Sequence, residues 1–224
     1  TGISYVCHTY KKIMNDRIGA KMVAIIDYDA GNIKSVEKAA QLLGQDVILT
    51  RDKDKILAAD HIILPGVGAF GDAMEKLERY DLIDTISKAV DQNIPFLGIC
   101  LGLQLMCTDS EEAPGIKGLG LIGGHVVRIP EGDGRKIPQI GWNSISFPNK
   151  GRLFKDIPEN TYIYLVHSYY LHSEDREIVT AQTEYGAVMD VSVEKGNLFA
   201  CQFHPEKSSE YGLKILSNFF DIHR

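Results

Sequence analysis

The sequence is first informative through what it lacks. None of its apolar runs approaches the roughly 18 residues that a membrane-spanning helix requires, so no span is predicted. Basic residues are in the minority, with 24 Lys and Arg against 30 Asp and Glu, and the net charge of −6 argues against a nucleic-acid-binding surface. The four cysteines show no Cys-x-x-Cys spacing, and no group of Cys and His has the spacing of metal ligands. These absences favour a cytoplasmic protein with reduced thiols, no metal site and no cofactor.

What is present is an ordinary globular composition, with 44% hydrophobic and 24% charged residues in a chain of 224. That length fits one domain with a sizeable core. Residues 1–21 are polar, aperiodic and without the apolar stretch of a secretory signal, whereas a strand pattern begins at once after Met22. We therefore expect residues 1–21 to be a disordered leader or expression-derived segment, and residues 22–224 to form a single domain.

The first half of the domain alternates between two kinds of pattern. Short apolar runs predict buried strands at residues 23–28, 46–49, 61–64 and 95–100. Helical periodicity between them predicts helices at residues 33–43, 71–80 and 82–91. Strands that alternate with helices indicate a parallel sheet with right-handed crossovers and helices on both faces.

The second half is rich in β-forming residues that are punctuated by Gly, Pro and Asn. It predicts mostly antiparallel strands at residues 121–129, 144–147, 162–166, 178–182 and 187–193. One more buried strand at 198–203 and an amphipathic helix at 210–222 complete the chain. The predicted fold is a three-layer α/β domain: a mostly parallel central sheet, helices on both faces and an antiparallel β extension.

The stretch 98–102, Gly-Ile-Cys-Leu-Gly, joins the fourth predicted strand to the following helix. Gly-x-Cys-x-Gly has the layout of a nucleophile elbow, in which small flanking residues permit a strained turn that exposes the central side chain. At a helix N-terminus, the backbone N–H groups and the helix dipole favour the thiolate, which is the reactive form of cysteine. Because buried cysteines commonly only pack, this stretch alone leaves a structural role open for Cys100.

Two further strand ends carry residues that suit thiol chemistry. Residues 65–68 read Pro-Gly-Val-Gly, and residues 203–206 read Phe-His-Pro-Glu. Since functional groups gather at the carboxyl ends of parallel strands, we expect both segments to lie near Cys100. In acyl transfer, Cys100 would attack a carbonyl, His204 would move the proton and Glu206 would orient the imidazole. The glycine-rich segment and the first N–H groups of the elbow helix would supply oxyanion donors.

Each feature also has a structural interpretation. His204 alone fits a buried histidine at a strand end, and Glu206 fits a solvated carboxylate or a cap of the last helix. Residues 65–68 fit a tight turn, and they lack the Lys-Ser/Thr of a phosphate loop. The coincidence of three such strand ends on one sheet favours catalysis over these separate interpretations.

Residues 98–104 and 202–208 resemble the two signatures of the triad (class I) glutamine amidotransferases, and the likeness runs from Met22 to the C-terminus. Within that family, further stretches are similar to the glutaminase subunit of imidazole glycerol phosphate synthase, in histidine biosynthesis. They are residues 27–32, 65–70, 111–115, 140–143 and 166–170. The resemblance implies a flavodoxin-like fold and a heterodimer with a cyclase subunit, a (β/α)8 barrel.

The resemblance also implies a role for each site residue. Cys100 attacks the side-chain amide of glutamine, His204 protonates the departing ammonia, and Glu206 supports the imidazole. The implied oxyanion donors are Val67, Gly68 and Leu101, and residues 66–68 must reorient before the oxyanion hole is complete. The residues implied to hold glutamine are Gly66, Gly68, Gln104, Glu112, Ser168 and Tyr169. Trp142 and Asn143 are implied to lie toward the cyclase.

Other interpretations stay open at this point. Without the resemblance, Glu112 would be assigned to a solvated acidic loop and Trp142 to the core. The nearest alternative function is a glutaminase subunit for anthranilate, aminodeoxychorismate or pyridoxal phosphate synthesis. A stand-alone γ-glutamyl hydrolase or cysteine peptidase and a non-enzymatic binding module are the alternatives of other classes. Because residues 65–68 form a glycine-rich loop beside the nucleophile, we expect the isolated chain to be a poor glutaminase until the cyclase and its nucleotide ligand set the oxyanion hole.

Overall fold

A computed structural model describes residues 20–132 and 134–224, so residues 1–19 of the predicted leader lie outside the described residues. The strands are β1 (Met22–Ile26), β2 (Asp46–Thr50), β3 (His61–Gly66), β4 (Phe96–Cys100), β5 (Asp109–Ser110), β6 (Gly124–Arg128), β7 (Gln139–Ser144), β8 (Tyr162–His167), β9 (Tyr169–Ser173), β10 (Val179–Glu184), β11 (Val188–Lys195) and β12 (Leu198–Cys201). The helices are α1 (Ile33–Leu42), α2 (Lys53–Ala58), α3 (Phe70–Arg79), α4 (Ile83–Asp91), α5 (Leu101–Leu105) and α6 (Ser209–Phe220).

A 10-stranded sheet runs through the domain in the order β2-β1-β3-β4-β12-β11-β9-β6-β5, with β10 paired to β11. The first five strands of this order are parallel. Strand β11 then reverses the direction, and β9, β10 and β11 pair in antiparallel fashion. Strands β7 and β8 form a separate antiparallel pair. The predicted fold class is therefore confirmed.

The apolar runs of the central strands supply both faces of the sheet with core residues, as expected for a parallel sheet covered on both sides. In β4, Leu97 and Ile99 join a buried cluster with residues of α1 and α6. Phe96, on the opposite face of the same strand, joins a second cluster with residues of α2, α3 and α4. The two clusters pack the sheet from both faces, and the carboxyl ends of β3, β4 and β12 lie side by side.

Several details of the strands differ from the sequence prediction, among them the unpredicted two-residue strand β5 and the end of β12 at Cys201. The strand predicted at 144–147 is replaced by β7, whose Ile140 and Trp142 are 65% and 51% exposed. The apolar side chains of β7 face outward. Because the periodicity rule assumes that apolar residues face inward, it places the strand at the wrong residues. Strand β9 is not predicted because only Ser168 separates it from β8. Strand β3 continues two residues beyond the prediction, through Gly66, because that residue pairs with Cys100.

No helix within residues 20–132 and 134–224 is long and apolar enough to cross a membrane.

Candidate active site

Cys100 lies where β4 turns into α5. Its backbone has φ 56° and ψ −109°, a combination that residues other than glycine seldom adopt. A Cβ on Gly98 would lie 2.9 Å from the carbonyl carbon of Gly102, and a Cβ on Gly102 would overlap the carbonyl oxygen of Leu64 on β3. Glycine is thus required on both sides of the cysteine, because α5 lies directly against the neighbouring strands.

His204 and Glu206 follow β12, the strand beside β4. Nδ1 of His204 and Oε1 of Glu206 are 2.8 Å apart, and the two side chains are 2% and 0% exposed. The same Oε1 accepts a hydrogen bond from Nδ2 of Asn32 at 3.2 Å. The hydroxyl of Ser35 donates to Oδ1 of Asn32 at 3.1 Å and so orients its amide. The carboxylate is therefore held from two sides behind the imidazole.

Two opposing effects set the charge of His204. Burial lowers the pKa of the imidazole, whereas its interactions with the sulfur of Cys100 and the carboxylate of Glu206 raise it, and the resulting pKa is about 9. The imidazole is therefore protonated at neutral pH. Its Nε2, the nitrogen that does not bind Glu206, has no hydrogen-bond partner in the described part of the chain. This protonated nitrogen is the one available to exchange a proton with a ligand in the pocket.

Cys100 and His204 line one pocket of about 260 Å³. Its lining residues are Val67, Gly68, Cys100, Leu101, Gln104, Glu112, Pro138, Val166, His167, Ser168, Tyr169 and His204. All of the residues predicted for the site are in this set except Gly66 and Glu206. Gly66 lies opposite Cys100 in the sheet register, and Glu206 lies behind His204. Among the described residues, no three His, Cys, Asp or Glu side chains converge in a way that would hold a metal ion.

Residues 67–69 form an exposed segment at the end of β3, beside Cys100. Gly68 has φ +109°, a value that favours glycine. On one side the segment rests on the loop after β1, where a Cβ on Gly31 would lie 2.8 Å from Cγ2 of Val67. The buried hydroxyl of Tyr28, in the same loop, donates to the carbonyl oxygen of Pro65 at 2.8 Å. In the predicted oxyanion segment, only residues 67–69 are exposed, and their neighbours on both sides are buried.

A pair of glutamine side chains connects the floor of the pocket to the thiol. Nε2 of Gln104 donates to Oε1 of Gln202 at 3.0 Å and to the carbonyl oxygen of Tyr169 at 3.2 Å. Nε2 of Gln202 lies 3.7 Å from the sulfur of Cys100 and donates to it. Gln202 and Asn32 were not among the predicted site residues. Gln202 stands within the signature 202–208, and the available signal was its polar amide within the predicted buried strand 198–203.

The segment that follows β8 forms another wall of the pocket. Nδ1–H of His167 donates to the carbonyl oxygen of Tyr169 at 2.8 Å, and the backbone oxygen of Ser168 accepts the N–H of Ile129 at 2.9 Å. Burial lowers the pKa of His167 to about 4, so this imidazole is neutral. His167 therefore acts as a hydrogen-bonding support that fixes the backbone of the predicted substrate-binding residues Ser168 and Tyr169.

An exposed apolar surface lies next to the pocket on strands β7 and β8. Ile140, Trp142 and Tyr162 on these strands are 65%, 51% and 61% exposed, and the Trp142 ring contacts the edge of Tyr164. Ile140 pairs with Val166, which lines the pocket, so the surface begins at the pocket wall. Trp142 is therefore not a core residue. Contiguous exposed apolar side chains of this kind mark interaction sites.

Comparison with known proteins agrees with this fold. The family model described as glutamine amidotransferase class-I matches residues 24–222. A solved structure titled as PurLQS from Thermotoga maritima shares 21% identity with a TM-score of 0.70, and covers 91% of this chain and 99% of its own. Another, titled as a glutamine amidotransferase, has a TM-score of 0.68 at 19% identity, with coverage of 88% and 98%. These distant likenesses show the class of fold.

Curated relatives are much more similar. The "Imidazole glycerol phosphate synthase subunit HisH" of Moorella thermoacetica is 50% identical over 202 residues, which cover 90% of this chain and 95% of the relative. The protein of the same name from Methanocaldococcus jannaschii is 48% identical over 201 residues, with 90% and 100% coverage. The chain thus belongs to the HisH family of class-I glutamine amidotransferases, and the predicted resemblance is confirmed.

Proposed function

We propose that this chain hydrolyses glutamine to glutamate and ammonia and delivers the ammonia to a cyclase subunit, with which it makes imidazole glycerol phosphate and AICAR. The observation that carries the proposal is the buried His204–Glu206 pair, 2.8 Å apart, whose imidazole lines the same pocket as Cys100. The names of the HisH relatives support the assignment to histidine biosynthesis. These names favour histidine biosynthesis over the alternative pathways, which are anthranilate, aminodeoxychorismate and pyridoxal phosphate synthesis.

In the first half-reaction, the Cys100 thiolate attacks the side-chain carbonyl carbon of glutamine. The carbonyl electrons move to oxygen, and this oxyanion is held by the N–H of Leu101 at the start of α5 and by an N–H from residues 66–68. His204 then gives its Nε2 proton to the amide nitrogen. The C–N bond breaks, ammonia leaves and a glutamyl thioester stays on Cys100.

In the second half-reaction, neutral His204 takes a proton from water while the water oxygen attacks the thioester carbonyl. A second oxyanion forms in the same hole, the C–S bond breaks and glutamate leaves. The thiolate and the protonated imidazole are thereby restored. Glu206 keeps Nδ1 protonated throughout, so that Nε2 is the nitrogen that exchanges the proton. Every step uses only side chains, backbone N–H groups and water.

The amino-acid end of glutamine, which does not react, is assigned to the part of the pocket away from Cys100. The carboxylate of Glu112 suits the α-ammonium, and N–H and hydroxyl donors from Gly68, Ser168 and Tyr169 suit the α-carboxylate. Gln104 is buried and bonded to Tyr169, so it supports that wall.

We assign the cyclase to the exposed surface of Ile140, Trp142 and Tyr162. An exposed apolar surface that starts at a pocket wall gives ammonia a short path into a partner without release to solvent. The expected partner is a (β/α)8 barrel in a heterodimer, and the proposed location of the pair is the cytoplasm.

The decisive experiment measures glutamate release from glutamine with and without the cyclase and its nucleotide ligand. We expect turnover by the complex, little turnover by the isolated chain, and none by the Cys100→Ala complex. The matched control is Cys107→Ala, since Cys107 is also close to the elbow but fully buried outside the pocket. Equal turnover with and without the cyclase would exclude partner activation. Turnover of γ-glutamyl conjugates by the lone chain would support a stand-alone hydrolase instead.

A further inference from the structure

The oxyanion segment has two fixed ends. Upstream, Gly66 is buried in β3 opposite Cys100, and the Tyr28 hydroxyl binds the preceding carbonyl. Downstream, the side chain of Phe70 is fully buried at the first position of α3. Only residues 67–69 between these ends are exposed. The position of the oxyanion donors therefore depends on how firmly both ends are held.

The downstream end is held by a residue from a different part of the chain. The N-cap of α3, Ala69, has no side chain that could accept a hydrogen bond. Instead, the N–H of Phe70 donates to Oε2 of Glu112 at 2.8 Å. Glu112 is itself fixed, because its own N–H donates to the hydroxyl of the buried Ser110 at 3.2 Å. A carboxylate at this place also interacts favourably with the helix dipole.

The other carboxylate oxygen, Oε1, makes no hydrogen bond within the described residues, and Glu112 lines the pocket. One carboxylate thus has an oxygen bound to the end of the oxyanion segment and an oxygen left for a ligand in the pocket. An α-ammonium on Oε1 and an N–H on Oε2 would fix the carboxylate from both sides, since both bonds are charge-assisted.

We propose that Glu112 is a positioning residue for the oxyanion segment in addition to a ligand of the substrate α-ammonium, an inference that rests on the proposed glutaminase function. Through Glu112, binding of glutamine stiffens the downstream end of residues 67–69. Glu112 therefore couples occupancy of the amino-acid end of the pocket to the position of the oxyanion donors.

The test separates the two roles with two substitutions. Glu112→Gln keeps an oxygen that accepts the N–H of Phe70 but removes the charge, whereas Glu112→Ala removes both. In the complex with the cyclase, we expect Glu112→Gln to raise KM for glutamine about tenfold or more and to leave kcat within about threefold. We expect Glu112→Ala to raise KM similarly and to lower kcat by a further tenfold or so.

Hydrogen exchange of the full chain supplies a readout that does not depend on turnover. The amide of Phe70 should exchange about tenfold faster in Glu112→Ala and at the wild-type rate in Glu112→Gln. The matched control is Glu111→Ala, because Glu111 is the adjacent glutamate and its carboxylate accepts the N–H of Arg128 instead. This control should leave both kcat and the exchange of Phe70 unchanged.

The outcomes distinguish the two claims. Equal kcat and equal Phe70 exchange in Glu112→Gln and Glu112→Ala would overturn the positioning role. An unchanged KM in Glu112→Gln would overturn the ammonium role. If the wild-type complex releases no ammonia from glutamine, the proposed function fails, while hydrogen exchange still reports whether Glu112 holds the segment.

Discussion

Asn32 and Glu206 are 174 positions apart in the chain, yet Nδ2 of Asn32 donates to Oε1 of Glu206 at 3.2 Å. That oxygen also receives Nδ1–H of His204 at 2.8 Å. The carboxylate has no exposed surface, so its orientation depends on these neighbours and not on water. A loop at the start of the domain therefore supports a catalytic group near its end.

We predict that Asn32→Ala lowers the glutaminase kcat of the complex about tenfold with KM within about twofold. Loss of one hydrogen bond to a buried charged group costs on the order of 1–3 kcal/mol, and a tenfold rate loss corresponds to about 1.4 kcal/mol. Steady-state kinetics measure both constants. Ser35→Ala removes only the hydroxyl that orients the Asn32 amide, so it should have a smaller effect in the same direction. A wild-type kcat in Asn32→Ala would contradict the supporting role.

The contrast between Cys100 and Asn32 shows what the sequence can predict. The elbow is predictable because its requirement is local. A tight strand–helix turn brings backbone atoms so close to the positions two residues before and after the cysteine that only glycine fits there. The bond of Asn32 to Glu206 depends on how β1 and β12 are placed in one sheet. An asparagine in a loop carries no signal of that placement, so the pattern leaves it out.

Trp142 illustrates a second limit. Without the family resemblance, an isolated tryptophan is assigned to the core, whereas the structure leaves it half exposed on β7. Periodicity assumes that apolar side chains face inward, and this assumption fails where a strand presents them outward. For the same reason, the strand was predicted at 144–147, whereas the structure has it at 139–144.

The elbow makes a prediction about stability. Gly102→Ala should destabilise the free chain by more than about 3 kcal/mol, because the added Cβ would overlap the carbonyl oxygen of Leu64, and a buried strand cannot move aside. Urea unfolding measures the loss. The matched control is Gly71→Ala in α3, where the new Cβ would meet the flexible end of Ile116 at 3.1 Å and make an ordinary contact with Cβ of Ala113 at 3.5 Å. That control should change the free energy of unfolding by less than about 1 kcal/mol.

The exposed surface makes a prediction about binding. Trp142→Ala should weaken the affinity for the cyclase at least about tenfold, since large aromatic side chains contribute most strongly at interfaces. The melting temperature of the free chain should fall by only a few degrees, because the side chain is half exposed and makes a T-shaped ring contact with Tyr164. Calorimetric titration measures the affinity. Leu42→Ala on α1, also 50% exposed, should leave it unchanged.

His61 makes stability depend on pH. The side chain is 1% exposed at the start of β3, and its Nε2–H donates to the carbonyl oxygen of Ile222 at 3.1 Å. Burial lowers the pKa of this imidazole from 6.5 to about 4, an effect that Asp60 and the Ile222 bond only partly offset. The folded state thus prefers the neutral form, whereas the unfolded chain binds a proton below about pH 6.5. The contribution of His61 is fully present above that pH and declines as the pH falls toward 4.

The substitution His61→Gln keeps a donor for Ile222 and removes the titration. We therefore expect wild type to lose about 1.4 kcal/mol of unfolding free energy relative to the variant between pH 7.5 and 5.5, and about 1 kcal/mol more by pH 4.5. Urea unfolding at these three pH values measures the difference, and groups such as His167 titrate in both proteins and cancel. The exposed His172→Gln serves as the control and should track wild type. Parallel pH curves for wild type and His61→Gln would show that His61 is not the group that titrates.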